Sequence, residues 1–213
     1  MGTFRCLLTA LGLLAACTAP TKAVDIEPLL KSLHAVGPQG AGNPQAAQAW
    51  EQLARADAAQ LPAILAALDD APPLSANWIR CAVDAIAERE LHGGGKLPAE
   101  DLEQFVLDTG HAPRARRLAY EWLLRVDPTA EERLIPGMLD DPSVELRRDA
   151  VARLVSEAAD RAKSDDAEIL ATYRRAFAAA RDLDQVKLLV ARLKDLGQEV
   201  DLPRHFGFLL RWK

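Results

Sequence analysis

The sequence predicts an all-α chain arranged as an α-solenoid of about four helix pairs, and three observations carry that prediction. A pattern of base, free position, small or apolar residue, apolar residue, two free positions and aliphatic residue recurs. Its copies are Arg80-x-Ala82-Val83-x-x-Ile86, Arg117-x-Ala119-Tyr120-x-x-Leu123, Arg148-x-Ala150-Val151-x-x-Leu154 and Lys187-x-Leu189-Val190-x-x-Leu193. The basic residues stand 37, 31 and 39 positions apart, a period at which a two-helix unit cannot bury its apolar face alone and must bury it against the next copy. Composition agrees: alanine and leucine dominate, aromatic residues are only 5%, and no run alternates Val, Ile and Thr as a half-buried strand would. Within each copy the small residue admits a close neighbour, and the apolar positions after it share one helical face.

The first element in chain order reads as an export signal. After Arg5, the apolar run Cys6 to Ala16 is too short to span a bilayer and leads into small residues, as in a secretory signal. Leu14-Ala15-Ala16-Cys17 resembles the bacterial lipobox, which implies a signal of residues 1–16 and a lipid on Cys17, the mature N-terminus. A second cut, after Thr21-Lys22-Ala23, would give a signal of residues 1–23 and a soluble secreted form. Cleavage before Cys17 removes Arg5 alone among charged residues and takes the formal net charge from −5 to −6. Cys81 is then the only free thiol, so no internal disulfide forms and helix packing must supply stability. Its place beside Ala82 predicts a packed thiol.

Residues 17–44 are expected to be a mature N-terminal segment and linker, with a short helix over 25–35 and a hinge rich in Gly, Pro and Gln from Gly37 to Pro44. The repeat domain spans 45–200 and starts with a capping helix from Gln45 to Ala56, with Trp50 and Leu53 on one face. Repeat one has a first helix over Ala58–Leu68, broken at Asp69-Asp70-Ala71-Pro72-Pro73 because two prolines cannot continue an amide ladder. Ser75 is the expected N-cap of the helix carrying Trp78, Ile79 and Val83. Repeat two opens near Leu97-Pro98, turns at Thr109 to Pro113, and places Leu118, Trp122 and Leu123 in its second helix. Repeat three starts at Asp127-Pro128, with Asp as cap and Pro at the first helical position, and the pair recurs at Asp141-Pro142. Repeat four has Ser164 before Asp165 and Asp166, acids suited to a first turn. Ile169, Leu170, Tyr173 and Phe177 follow at helical spacing, and a partner helix runs over Leu183–Leu196 to a stop at Gly197. The tail, 201–213, turns apolar and aromatic from Phe206 and reads as the beginning of a strand.

Asp140-Asp141-Pro142-x-Val144-x-Leu146-Arg147-x-x-Ala150-Val151-x-x-Leu154 resembles the turn and second helix of a HEAT repeat. Leu61-Pro62-x-x-Leu65-x-x-Leu68-Asp69-Asp70 resembles a first helix, and the likeness covers roughly residues 58 to 197. The fourth copy departs from it, with Lys187 for Arg and Leu189 for Ala. The mean period is also shorter than the ~40–47 residues usual for such units, which brings a tetratricopeptide array into consideration. Trp50-x-x-Leu53-Ala54 imitates the opening of that repeat, but only once. The aromatic ending resembles the junction in large exported proteins of the Planctomycetes where helical repeats lead into a β-sandwich, which implies a truncated relative.

No residue set looks able to do chemistry. His92-Gly93-Gly94-Gly95-Lys96 lacks both the Gly-x-Ser-x-Gly elbow of an esterase and the Ser or Thr that follows the lysine of a phosphate loop, so an inter-repeat turn is expected. His34, His92, His111 and His205 are far apart, with no pair at ligand spacing, and no metal site, cofactor site or catalytic residue is expected. The acid pairs Asp69-Asp70, Asp140-Asp141 and Asp165-Asp166 stand at turns and helix starts, where carboxylates cap free amides. Arg114, Arg116, Arg117, Arg147 and Arg148 cluster along successive second helices. They make either an ion-pair ladder with neighbouring Asp residues or, at Arg114, Arg117, Arg147 and Arg148, a binding ridge for an acidic partner.

The expected function is a non-enzymatic scaffold at the bacterial cell envelope, holding a protein or peptide ligand on a concave face lined by second helices. Interspersed acids and bases summing to −5 offer no field for nucleic acid, and membrane contact is expected only through the lipid on Cys17. Two alternatives stand beside this. The chain could be the accessory spacer of a larger exported enzyme, or an enzyme of the bilin-lyase type, since some HEAT-like proteins attach chromophores in the cytoplasm.

Overall fold

The computed structural model describes residues 24–160 and 166–207. The signal segment with Cys17, the Ser164-Asp165 pair and residues 208–213 of the tail lie outside them. Among the described residues the chain is all helical, with no strand. In order, α1 is Ile26–His34, α2 Asn43–Leu53, α3 Leu61–Ala66, α4 Pro73–His92, α5 Ala99–Leu107, α6 Pro113–Val126, α7 Ala130–Leu134, α8 Val144–Asp160, α9 Asp166–Ala179, α10 Leu183–Asp195 and α11 Leu202–His205.

The recurring pattern lies on α4, α6, α8 and α10, and its small or apolar third position is buried in every copy: Ala82, Ala119, Ala150 and Leu189. On α4 the core face is Ile79, Ala82, Val83 and Ile86, the spacing that one side of a helix presents. Prolines open the two helices that follow tight turns, Pro73 on α4 and Pro113 on α6, where a missing amide proton costs nothing. Helices pair with their neighbours in sequence: α1 with α2, α3 with α4, α5 with α6 and α9 with α10. The 3-10 turn Ile135–Gly137, which continues α7, packs on α8. Across pairs, α6 meets α8 and α8 meets α10. One apolar core runs from Leu33 to Leu193.

The structure departs from the expected elements at six places. The short helix expected over 25–35 is present as α1, but instead of standing in a linker it packs on α2 and α4 and buries Leu33 completely. It therefore adds a fifth helix pair at the N-terminal end. The expected hinge is a reversal held by Gly37 N–H donating to Ala41 O at 2.8 Å, with Gly42 at φ +81° and a space that a Cβ would fill 3.2 Å from Ala35 O. Ser75 is no cap: α4 starts two residues earlier, and the buried Ser75 hydroxyl faces His34 O at 3.4 Å.

The Asp-Pro pairs also act differently from expectation. Asp127 accepts from Thr129 N at 3.1 Å, and Asp141 accepts from Ser143 N at 2.7 Å. Each carboxylate closes an Asx turn that carries the chain past the proline before the helix begins, and Ser143 Oγ then accepts from Leu146 N at 3.3 Å. Cys81 is exposed rather than packed, because it lies on the side of α4 away from Ile79, Val83 and Ile86. Phe206, the expected start of a strand, instead ends α11, with its ring edge-on to Phe177 at 6.5 Å.

Candidate functional site

The second-helix surface of α4, α6, α8 and α10 carries the most organised side-chain chemistry in the molecule. Arg80 on α4 donates to Glu121 on α6 at 3.0 Å. Arg117 on α6 binds Asp149 on α8 and also Glu121 at 3.1 Å. Arg148 on α8 makes a bidentate pair with Asp184 on α10 at 2.9 and 2.6 Å, with Asp182 at 3.3 Å. The bases of the first three copies thus each reach a carboxylate on the next second helix. Hydrogen bonding to Arg148 holds the Asp184 carboxyl down to about 2, and the same bond raises Arg148. For Arg117, burial lowers the pKa, but the hydrogen bonds and charges of Asp149 and Glu121 outweigh it and the net shift is upward. Burial, assisted by the charges of Glu131 and Asp149, pushes the Tyr120 hydroxyl up to about 12.

The two other arginines of the expected ridge bind main chain. Arg114 donates to Leu68 O at 2.9 Å and Ala71 O at 2.6 Å, closing the end of α3. Arg147 donates to Asp141 O at 2.9 Å, over the turn before α8. Arg114, Arg117, Arg147 and Arg148 are therefore all engaged inside the chain, and an acidic partner would have to compete with these bonds. Arg116, between them in sequence, is 1% exposed. It donates to Val106 O at 2.7 Å and pairs with Asp141 at 2.8 and 2.7 Å, which ties α6 to the end of α5 and to the turn before α8.

Beside the ladder lie two depressions on the α4 surface. Trp50 of α2 with Asn77, Trp78 and Cys81 of α4 encloses about 350 Å³ of almost wholly apolar lining. On the other flank, Arg80, Asp84, Glu88, Glu121, Trp122 and Arg125 line about 280 Å³. This second depression is internally satisfied, since Trp122 Nε1 donates to Asp84 at 2.9 Å and the Arg125 guanidinium lies 4.6 Å over the Trp122 ring.

Comparison with protein-family models, curated proteins and solved structures found no match to this chain.

The histidines are dispersed. His34 Nε2 lies 3.0 Å from Ala67 O and His92 Nδ1 2.7 Å from Glu88 O. His111 lies 2.7 Å from Asp69 and stacks on Phe105 at 3.9 Å, while His205 lies against Phe177. Among the described residues no group of three or more His, Cys, Asp or Glu side chains is placed to hold a metal ion. The triple glycine ends α4, with Gly93 as C-cap and Gly94 at φ +76°. Asp69 accepts from Ala112 N at 2.7 Å, just before α6. The Trp50–Trp78–Cys81 depression went unforeseen because Cys81 is expected from its neighbour Ala82 to be packed and Trp78 is placed only on the same helix as Ile79 and Val83. Leu74, Trp78 and Cys81 at i, i+4 and i+7, on a stripe rotated away from Ile79 and Val83, are the signal that could have found it.

Proposed function

We propose that the chain is a HEAT-like α-solenoid acting as a non-enzymatic protein–protein interaction scaffold at the cell envelope, with second helices lining the surface that holds a protein or peptide. The observation that carries this reading is the ladder of ion pairs between successive second helices, Arg80 to Glu121, Arg117 to Asp149 and Arg148 to Asp184. In three successive copies the base at the same position of the pattern reaches a carboxylate on the next second helix, while the acceptor shifts from four residues after that copy's base (Glu121) to one after (Asp149) to three before (Asp184); a base that bonds forward in copy after copy is what repeats piled in a row would give. A long surface of aligned second helices follows, and extended surfaces of this kind serve to bind other chains. Envelope attachment rests on the resemblance of Leu14-Ala15-Ala16-Cys17 to a lipobox. No described helix is long and apolar enough to cross a membrane.

Photo-crosslinking in envelope fractions tests the scaffold. Probes at Asn77 on α4 and Ala152 on α8 are expected to trap one common protein that a probe at Gln104 on α5 does not. Equal yields from all three positions, or none from the second helices, would refute it. Intact mass of the mature chain tests the anchor, and an unmodified Cys17 removes it.

A further inference from the structure

The side of a second helix that carries the base of the recurring pattern is the side that meets the next second helix, through the bonds of Arg80 to Glu121, Arg117 to Asp149 and Arg148 to Asp184. Residues four before, three after and seven after the base lie within about 60° of it around the helix, on the same stripe. Three after the base stand Val83, Tyr120 and Val151, each at most 2% exposed. Seven after it stand Ala87, Leu124 and Val155, all apolar and buried or half-buried.

On α10 the same stripe reads Leu183, Lys187, Val190 and Lys194. Leu183 is 68% exposed, Val190 is half-buried where its three counterparts are buried, and an exposed lysine stands at 194 where the other copies are apolar. The helix that follows does not stack here: α11 turns to α9, with His205 against Phe177. Among the described residues no carboxylate pairs with Lys187 or Lys194. Asp182 and Asp184 are engaged by Arg148, and Asp195 is turned about 100° round the helix from Lys194. A face that merely closed the row would be polar along its length, whereas this one alternates leucine and valine with lysine.

We propose that this stripe docks a helix of a partner protein that carries two carboxylates seven residues apart, one for each lysine, with apolar residues between them to cover Leu183 and Val190. This rests on the scaffold reading above and names the partner's chemistry and the place it binds. The chain itself supplies the template. Three times over, the base-bearing side of a second helix receives a helix with a carboxylate facing the base, so the occupant that fits the fourth is a helix of the same kind. Lys187 and Lys194 stand two turns, about 10 Å, apart along the axis, and that separation sets the spacing of the carboxylates. A second copy of this chain does not offer it: α2, the second helix at the other end of the row, has the single carboxylate Glu51, with the exposed Arg55 one turn further on. An anionic lipid surface is broad enough to meet Asp182, Asp184 and Asp195 along with the lysines and is repelled by them, whereas one helix meets the stripe alone.

The probe is a labelled alanine-based model helix of about 18 residues with two glutamates seven apart and leucines between them, titrated with the full chain by fluorescence anisotropy. The same peptide with lysines in place of the glutamates is the control. Binding of the glutamate helix is expected, weakened at least about tenfold by Lys187→Glu with Lys194→Glu, a double variant that takes up the lysine helix instead. Lys31→Glu with Lys96→Glu, which changes the net charge equally at exposed lysines elsewhere, is expected to leave binding unchanged. Equal weakening by both double variants, or equal affinity for the two peptides, overturns the proposal. So does a dimer in light scattering that Lys187→Glu dissociates, or binding to phosphatidylglycerol vesicles in place of the peptide. A natural partner that crosslinks to probes at Asn77 and Ala152 but not to one at Ala191 on α10 overturns the docking site and leaves the scaffold standing, whereas the absence of any partner along the second helices removes the scaffold itself.

Discussion

Arg116 and Asp141 show how much one pair of side chains decides. Both are buried, at 1% and 9% exposure, and the guanidinium also satisfies the Val106 carbonyl. Taking either partner away strands a charge without solvent, a loss of roughly 3–5 kcal/mol. Asp141→Ala is therefore expected to lower unfolding free energy in urea by that amount. The double variant Arg116→Met with Asp141→Leu, which removes both charges, recovers most of it, and a double variant no better than the single would refute the pairing argument. This pair was only half legible from the residues. Arg116 stood in a visible basic cluster, and Asp141 read as a helix cap. Their meeting requires α5, α6 and the turn before α8 to come together, and nothing local to either residue encodes that. The exposed Cys81 was misread for a related reason, since its immediate neighbour Ala82 is core and one step along a helix turns a side chain by about 100°.

At the scale of elements, α1 and the ladder make separate predictions. Leu33 is fully buried where α1 meets α2 and α4, so Leu33→Ala is expected to cost about 2–5 kcal/mol of global stability. A loss confined to local fraying of residues 24–36 in hydrogen exchange would mean that α1 is only an appendage. The link between α8 and α10 is sensitive to acid. Arg148 holds Asp184 at about 2 in the folded chain, against about 3.9 when unfolded. The folded state therefore binds the proton less readily. The contribution of the pair is present above about pH 4 and is lost as pH falls through about 2. The melting-temperature gap between wild type and Asp184→Asn should close over that range, and also in about 1 M salt, because the pair is exposed and screened. A gap independent of pH would refute the assignment. The helices themselves were legible: the prolines at 72, 73 and 113 mark breaks between them, Gly93 and Gly197 mark stops, and apolar spacing fills the intervals. Their exact first residues were not: α4 begins at Pro73, two residues before the expected Ser75 cap, and the Asx turns at Asp127 and Asp141 delay the helix past the proline.

For the whole molecule the question is how the pairs are disposed. A compact globule of this length has a radius of gyration of about 17 Å. Stacked pairs should exceed that clearly in small-angle scattering, and a value at the compact limit would refute the row of repeats. The ladder predicts cooperation between neighbours as well: Arg117→Gln is expected to speed hydrogen exchange in α6 and α8 before α10, since its bonds run to Glu121 and Asp149.

The residues alone determined that the chain is helical, where its helices lie and which face of each is apolar, because hydrophobic spacing, proline and glycine act within a few positions. They also placed a base at one position of each of the four copies. Only the tertiary structure decided what those bases bind, that α1 belongs to the core, and that Trp50 and Trp78 face each other across an open groove. Those outcomes depend on side chains from different helices arriving at one point, roughly 25 to 40 positions apart in sequence, and that distance lies beyond the reach of any local pattern.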